Sequence, residues 1–184
     1  MPGTNVPAQM FNHELNVVKG WPSPYAMDKV KGIDPAETLV ILAGRVIFTT
    51  PNDLFAMGCP YNTGDALAPM PLFAWPSSSD FDVSSDVGNT NSGHMMGLPA
   101  IGPYEFETTE FKGGGFIPNA PLVSDFGGVV AADRGKVKVG SLNTAALAVN
   151  EHLVLGVVSD AGPLVNSNRK DVVRFWPVYL PVRV

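Results

Sequence analysis

Cysteine is almost absent from this chain. Cys59 is the only one in 184 residues, so no intrachain disulfide framework can form. Its neighbours Met57, Gly58, Pro60 and Tyr61 bring neither positive charge nor imidazole, which a thiol nucleophile needs, so Cys59 reads as a buried or turn residue. Histidine is nearly as scarce. His13, His94 and His152 stand far apart and have no acidic partner at ligand spacing, which leaves no local zinc motif. Basic runs are missing too. Twelve Lys and Arg face 17 Asp and Glu, a net charge of −5, and binding nucleic acid by phosphate neutralisation requires the basic patch that is lacking here.

Long apolar runs are also missing. The longest, Leu39 to Phe48, is interrupted by Gly44 and Arg45 and falls well short of the roughly 20 residues that a spanning helix needs. The first sixteen residues show no basic region followed by an apolar stretch, so no secretory leader, no membrane partner and manufacture without export are expected. Charge as a whole is sparse, at 16% of residues against the roughly 25% usual in soluble domains. The resulting neutral surface, rich in Ser, Thr, Asn and Gly, suits a protein that packs against other proteins. Catalytic signatures are absent: there is no P-loop, G-x-S-x-G, H-E-x-x-H, C-x-x-C or G-x-G-x-x-G.

Glycine and proline are what the chain has in excess. Nineteen glycines and 17 prolines make up about a fifth of it, against roughly 12% in average proteins. They leave little room for long helices and favour short strands joined by turns. The fold expected is all-β, a small β-barrel or β-sandwich body at residues 39–184 with an extended N-terminal arm at 1–38. In the arm, Pro2, Pro7, Pro22, Pro24 and Pro35 break any helix, while Trp21 and Tyr25 are aromatic anchors for a partner or for the body. Asp34 and Pro35 can open a single helical turn.

In the body, Leu39 to Thr49 reads as a central strand covered on both faces, with Gly44 at a bulge or close backbone approach. Met70 to Trp75 is a shorter strand, followed by a polar loop at 76–99 that carries Phe81; loops this long are usually functional or ordered by a partner. Tyr104 to Phe111 alternates, with Tyr104 and Phe106 inward and Glu105 and Glu107 toward water. A bulge near Thr108 and Thr109 is expected to bring Phe111 back inward. Residues 127–132 and 136–139 read as a hairpin around Asp133-Arg-Gly135, Leu153 to Val158 as a buried strand, and 160–171 as a polar loop. The one helix candidate is 142–149. The terminal strand from Val172 contains Pro177 and Pro181, whose missing donors place it at a sheet rim with one unpaired edge.

Two chemical patterns remain. Asp80, Asp82, Ser84 and Asp86 place oxygens at alternate positions, but Ser85 and Asn91 stand where a calcium loop wants Gly and Glu, so a polar turn is the plainer reading. Glu105 and Glu107 share a strand face about 7 Å apart, a separation that glycosidases use. Any strand with one wet face shows the same alternation. Neither cofactor nor metal is expected. Aromatics at Phe73, Trp75, Phe175, Trp176 and Tyr179 read as core and interface material, with a carbohydrate- or ligand-binding β-sandwich module as the alternative.

Several segments taken in order resemble the head decoration (capsid cement) proteins of tailed bacteriophages. They are Ala43-Gly-Arg-Val-Ile47, Met70-Pro-Leu-Phe-Ala74, Asp80-Phe-Asp82-Val, Tyr104-Glu-Phe-Glu-Thr-Thr-Glu-Phe111, Phe116-Ile-Pro-Asn-Ala-Pro-Leu122, Leu155-Gly-Val-Val-Ser159 and Phe175-Trp-Pro-Val-Tyr-Leu-Pro181. The likeness covers roughly residues 39 to 181. It implies a β body on the outer surface of the capsid that bridges neighbouring major capsid protein subunits, as a dimer or trimer in the virion, without catalytic residues. Trp21, Tyr25, Phe81, Trp176 and Tyr179 are the candidate partner contacts, and the unpaired terminal edge invites strand addition by a neighbour.

Overall fold

The computed structural model describes residues 15–20, 31–35, 37, 41–57, 71–75, 94–99, 101–124, 133–140 and 153–181. Every pairing between its strands is antiparallel. The strands are β1 (Leu15–Lys19), β2 (Lys31–Gly32), β3 (Val46–Thr49), β4 (Phe55–Ala56), β5 (Leu72–Trp75) and β6 (His94–Pro99), followed by β7 (Glu105–Thr108), β8 (Pro121–Ser124), β9 (Val137–Val139), β10 (Leu153–Val158), β11 (Leu164–Val165) and β12 (Asp171–Pro181). Seven form one sheet in the order β1-β7-β12-β10-β8-β9, with β11 against the start of β12; the other five run β2-β6-β5-β3-β4. The all-β class read from glycine, proline and alternation is the fold observed.

Period-two alternation builds the two layers. Val46, Phe48, Phe73 and Leu98 of the smaller sheet pack with Phe106, Leu122, Leu155, Val173 and Phe175 of the larger one in a single buried cluster. At its centre Phe73 lies 6.1 Å from Phe106 and 5.2 Å from Phe175, while Phe106 and Phe175 are 5.9 Å apart, all with tilted rings. Each of these rings contributes about 1.5–3 kcal/mol by burial, and tilted pairs add about 0.5–1.5 kcal/mol. The intervening residues Ile47, Leu72 and Ala74 enter a second cluster with Ile41, Ala43, Phe55 and Met57 on the other face of the smaller sheet. Strands β3 and β5 are therefore covered on both faces, as their unbroken apolar runs require.

The structure corrects several expectations. The run from Leu39 is not one strand. Arg45 N–H donates to Leu42 O at 3.1 Å, closing a turn in which Gly44 takes φ 90°, and the strand begins only at Val46. The 1–38 segment, where described, supplies β1 and β2 to the body sheets. Residues 94–99 of the stretch read as a loop form β6. Gly97 is required there because a Cβ would sit 2.9 Å from Leu72 Cδ1 and 3.1 Å from Phe55 Cζ. β9 pairs with β8, and the expected partner at 127–132 lies outside the described residues, as do Cys59 and the helix candidate at 142–149. The phase change after Thr108 is a strand end: the Thr108 hydroxyl accepts from Glu110 N–H at 3.0 Å, and Phe111 meets Phe116 edge-on at 5.5 Å.

β12 does not lie at the rim. It runs between β7 and β10. Its register with β7 covers only Val173 to Phe175, whereas its register with β10 continues to Pro181. Arg174 O accepts from Ser159 N–H at 3.0 Å and so points toward β10, which turns the backbone at Phe175 and Pro177 toward β7. β7 begins at Glu105, so the donor missing at Pro177 falls where that neighbour has ended. Two steps on β10, Gly156 to Val154, match three on β12, Pro177 to Leu180. This bulge breaks the shared parity of Pro177 and Pro181 that the sequence argument used.

Candidate functional site

The face of β7 turned away from the aromatic core carries the acids Glu105 and Glu107. Both were expected to face water, yet they are 1% and 6% exposed. Their neighbours explain the burial. Cross-strand register sets Asn16 of β1 and Arg174 of β12 on either side of Glu107. Asn16 Nδ2 donates to Glu107 Oε1 at 3.1 Å, and Arg174 Nε to Oε2 at 3.1 Å. Arg174 Nη1 also lies 3.6 Å from Asp160 Oδ2. On β1, two steps from Val17 to Lys19 match the single step from Phe106 to Glu105. This bulge turns Lys19 from the core side to the outer face, where Nζ lies 2.8 Å from Glu105 Oε2 and 5.7 Å from the centre of the Trp176 ring.

These contacts decide the electrostatics. Burial opposes ionisation of Glu105. The Lys19 ammonium, 2.8 Å away, and the positive charge of Arg174 outweigh it and hold the carboxyl below its ordinary value. Arg174 is held above its ordinary value, first by its hydrogen bond to Glu107. A proton-donating acid at neutral pH needs the opposite displacement. The pair expected from spacing does share one face, but the arrangement holds charge in place.

A second cluster joins the segments around Glu37, Arg45, Met57, Glu110 and Arg134 beside β3. Arg45 Nε donates to Glu110 Oε2 at 2.8 Å with both side chains buried, and Arg45 Nη1 donates to Arg134 O at 3.2 Å. Met57 N–H donates to Glu37 Oε2 at 3.0 Å, and Arg134 Nη1 lies 3.8 Å from Glu37 Oε1. Asp133 sits between Lys136 at 3.0 Å and Lys112 at 3.1 Å, whose hydrogen bonds hold its carboxyl below the ordinary value. Gly135, with φ 80°, brings its carbonyl to Val46 N–H at 2.8 Å.

Of the candidate contacts, Trp21, Tyr25 and Phe81 lie outside the described residues, and Tyr179 is placed only as backbone of β12. Trp176 is half-buried beneath Lys19. Sequence reasoning missed the exposed aliphatic side chains Ile101, Ile117 and Val165, the last two 63% and 67% exposed. Ile117 follows Phe116, whose O accepts from Gly162 N–H at 2.9 Å, and Val165 lies in β11, three residues beyond Gly162. The available signal was an aliphatic residue set among Gly113 to Gly115, Pro118 and Asn119, where no alternation calls for one. Among the described residues no group of three or more His, Cys, Asp and Glu is placed to hold a metal ion, and no helix is long and apolar enough to cross a membrane.

Comparison with family models, with curated proteins and with solved structures found no match.

Proposed function

We propose that this chain is a virion structural protein, made in the host cytoplasm, that decorates the outer surface of a tailed-phage capsid and bridges neighbouring major capsid protein subunits. One observation carries the reading. The acids of β7 are committed to internal ion pairs, while the aliphatic side chains Ile117 and Val165 stand exposed on the two-sheet body. Internal pairing stiffens a subunit, and exposed aliphatic groups are material for contact with protein. The ordered resemblance across residues 39–181 and the low charge of the chain support the same reading. A dimer or trimer repeating such contacts on a lattice gains avidity from many joints. No cofactor, nucleic acid or membrane enters the reading.

The test is co-sedimentation of the purified protein with expanded heads stripped of it. Saturable binding that raises the thermal resistance of the particle is expected. Absence of binding, together with retention on a glycan array, would replace this reading with a carbohydrate-binding β-sandwich module.

A further inference from the structure

Among the described residues, β1 pairs with one strand, β7. It has five residues, pairs with β7 as an outer strand of the larger sheet, and places Leu15 and Val17 against the core. Beyond its ladder, side chains of its outer face link to β7, Asn16 to Glu107 and Lys19 to Glu105. The second link is asymmetric: the Glu105 side chain is 2% exposed, while that of Lys19 is 66% exposed. Lys19 is thus a removable cover over a carboxylate that burial makes costly to leave unpaired.

We infer that β1 is a releasable strap, latched to β7 by the Lys19–Glu105 pair, and that protonation of Glu105 opens it and uncovers the outer edge of β7. Among the described residues, the charged and polar groups around Glu105 are Lys19 from β1, Arg174 from β12, Ser159 after β10, and Glu107 two residues along its own strand, with Asp160 reached through Arg174. With β1 docked, Lys19 and Arg174 favour the carboxylate. With β1 released, Lys19 is gone and Glu105 binds its proton more readily. Acid therefore favours the open state, beginning as pH falls below the ordinary glutamate value of about 4.3. An opened β7 presents an unpaired strand edge, a template for another strand. The inference does not depend on the capsid reading.

Native-state hydrogen exchange of the whole chain tests it, with rates divided by their intrinsic values. In the wild type, protection of the amides at 16–19 stays level from pH 7 to about 5, then falls with further acid, before the amides of β10 and β12 respond. Lys19→Gln alters an exposed side chain, and at pH 7 it lowers protection at 16–19 by about fivefold, the worth of a partly exposed ion pair. Glu105→Gln does the same and removes the acid dependence of β1. The strap is overturned if Lys19→Gln keeps wild-type protection at 16–19, or if those amides exchange only together with β10 and β12.

Discussion

Cutting the Arg45–Glu110 pair tests the reading of the buried charges most sharply. Both side chains are nearly sealed, 7% and 3% exposed, at 2.8 Å. Arg45→Met leaves Glu110 as an uncompensated buried carboxylate and removes the donor to Arg134 O. Breaking a buried pair from one side costs about 3–5 kcal/mol, against a total stability of about 5–15 kcal/mol for a domain. With a urea slope of about 2 kcal/mol/M, the midpoint falls by roughly 2 M, and the melting temperature falls by roughly 10 °C for a chain of this size. The double variant Arg45→Met with Glu110→Leu removes both charges, so it recovers most of the loss and retains the cost of the orphaned Arg134 carbonyl, about 1–3 kcal/mol. Urea titration followed by tryptophan fluorescence reads both variants. Additive costs, or a single-variant loss below about 1 kcal/mol, would refute the argument that this pair ties the loops together.

Phe73→Ala removes the ring that joins the two sheets and should cost about 3–5 kcal/mol by calorimetry. Gly97→Ala forces a methyl group against Leu72 and Phe55 and should cost about 1–3 kcal/mol in the same measurement. Glu105 and Asp133 both lie below their ordinary values, so each contributes stability that is complete above its unfolded pKa and is lost as pH falls through its folded value. Acid unfolding below about pH 4.5 should therefore flatten in a Glu105→Gln, Asp133→Asn double variant. Ile117→Ser with Val165→Ser should leave the melting temperature almost unchanged, within about 0.5 kcal/mol, because these side chains pack on little.

Much of the fold was legible because its signals are local. Alternation placed Phe106 and Val137 in the core, Phe175 was read as core or interface material, and the apolar run from Leu39 to Thr49 marked a strand buried on both faces, of which Val46–Thr49 forms one. Partner identity was not legible, since it depends on contacts far apart in sequence. Glu105 and Glu107 look like wet-face residues until Lys19 and Arg174, more than 60 positions away, close over them. β6 was hidden because His, Met, Gly and Pro are poor strand formers, and only the close approach to Leu72 explains Gly97. Pro177 and Pro181 pointed to a sheet rim, and that reading was wrong for β12. The sequence did not show that β7 would end beside Pro177 and leave β12 inside the sheet.

The central claim is that the exposed side chains Ile117 and Val165 meet a capsid. The direct measurement compares binding of the wild type and an Ile117→Glu, Val165→Glu variant to stripped expanded heads, with occupancy read by electron microscopy. The account predicts symmetric, saturable wild-type occupancy over the joints between capsid subunits and a loss of at least about a hundredfold in affinity for the variant, since two buried charges at an interface cost several kcal/mol. A folded variant that binds as well as the wild type, or a wild type that leaves the heads bare, would contradict it.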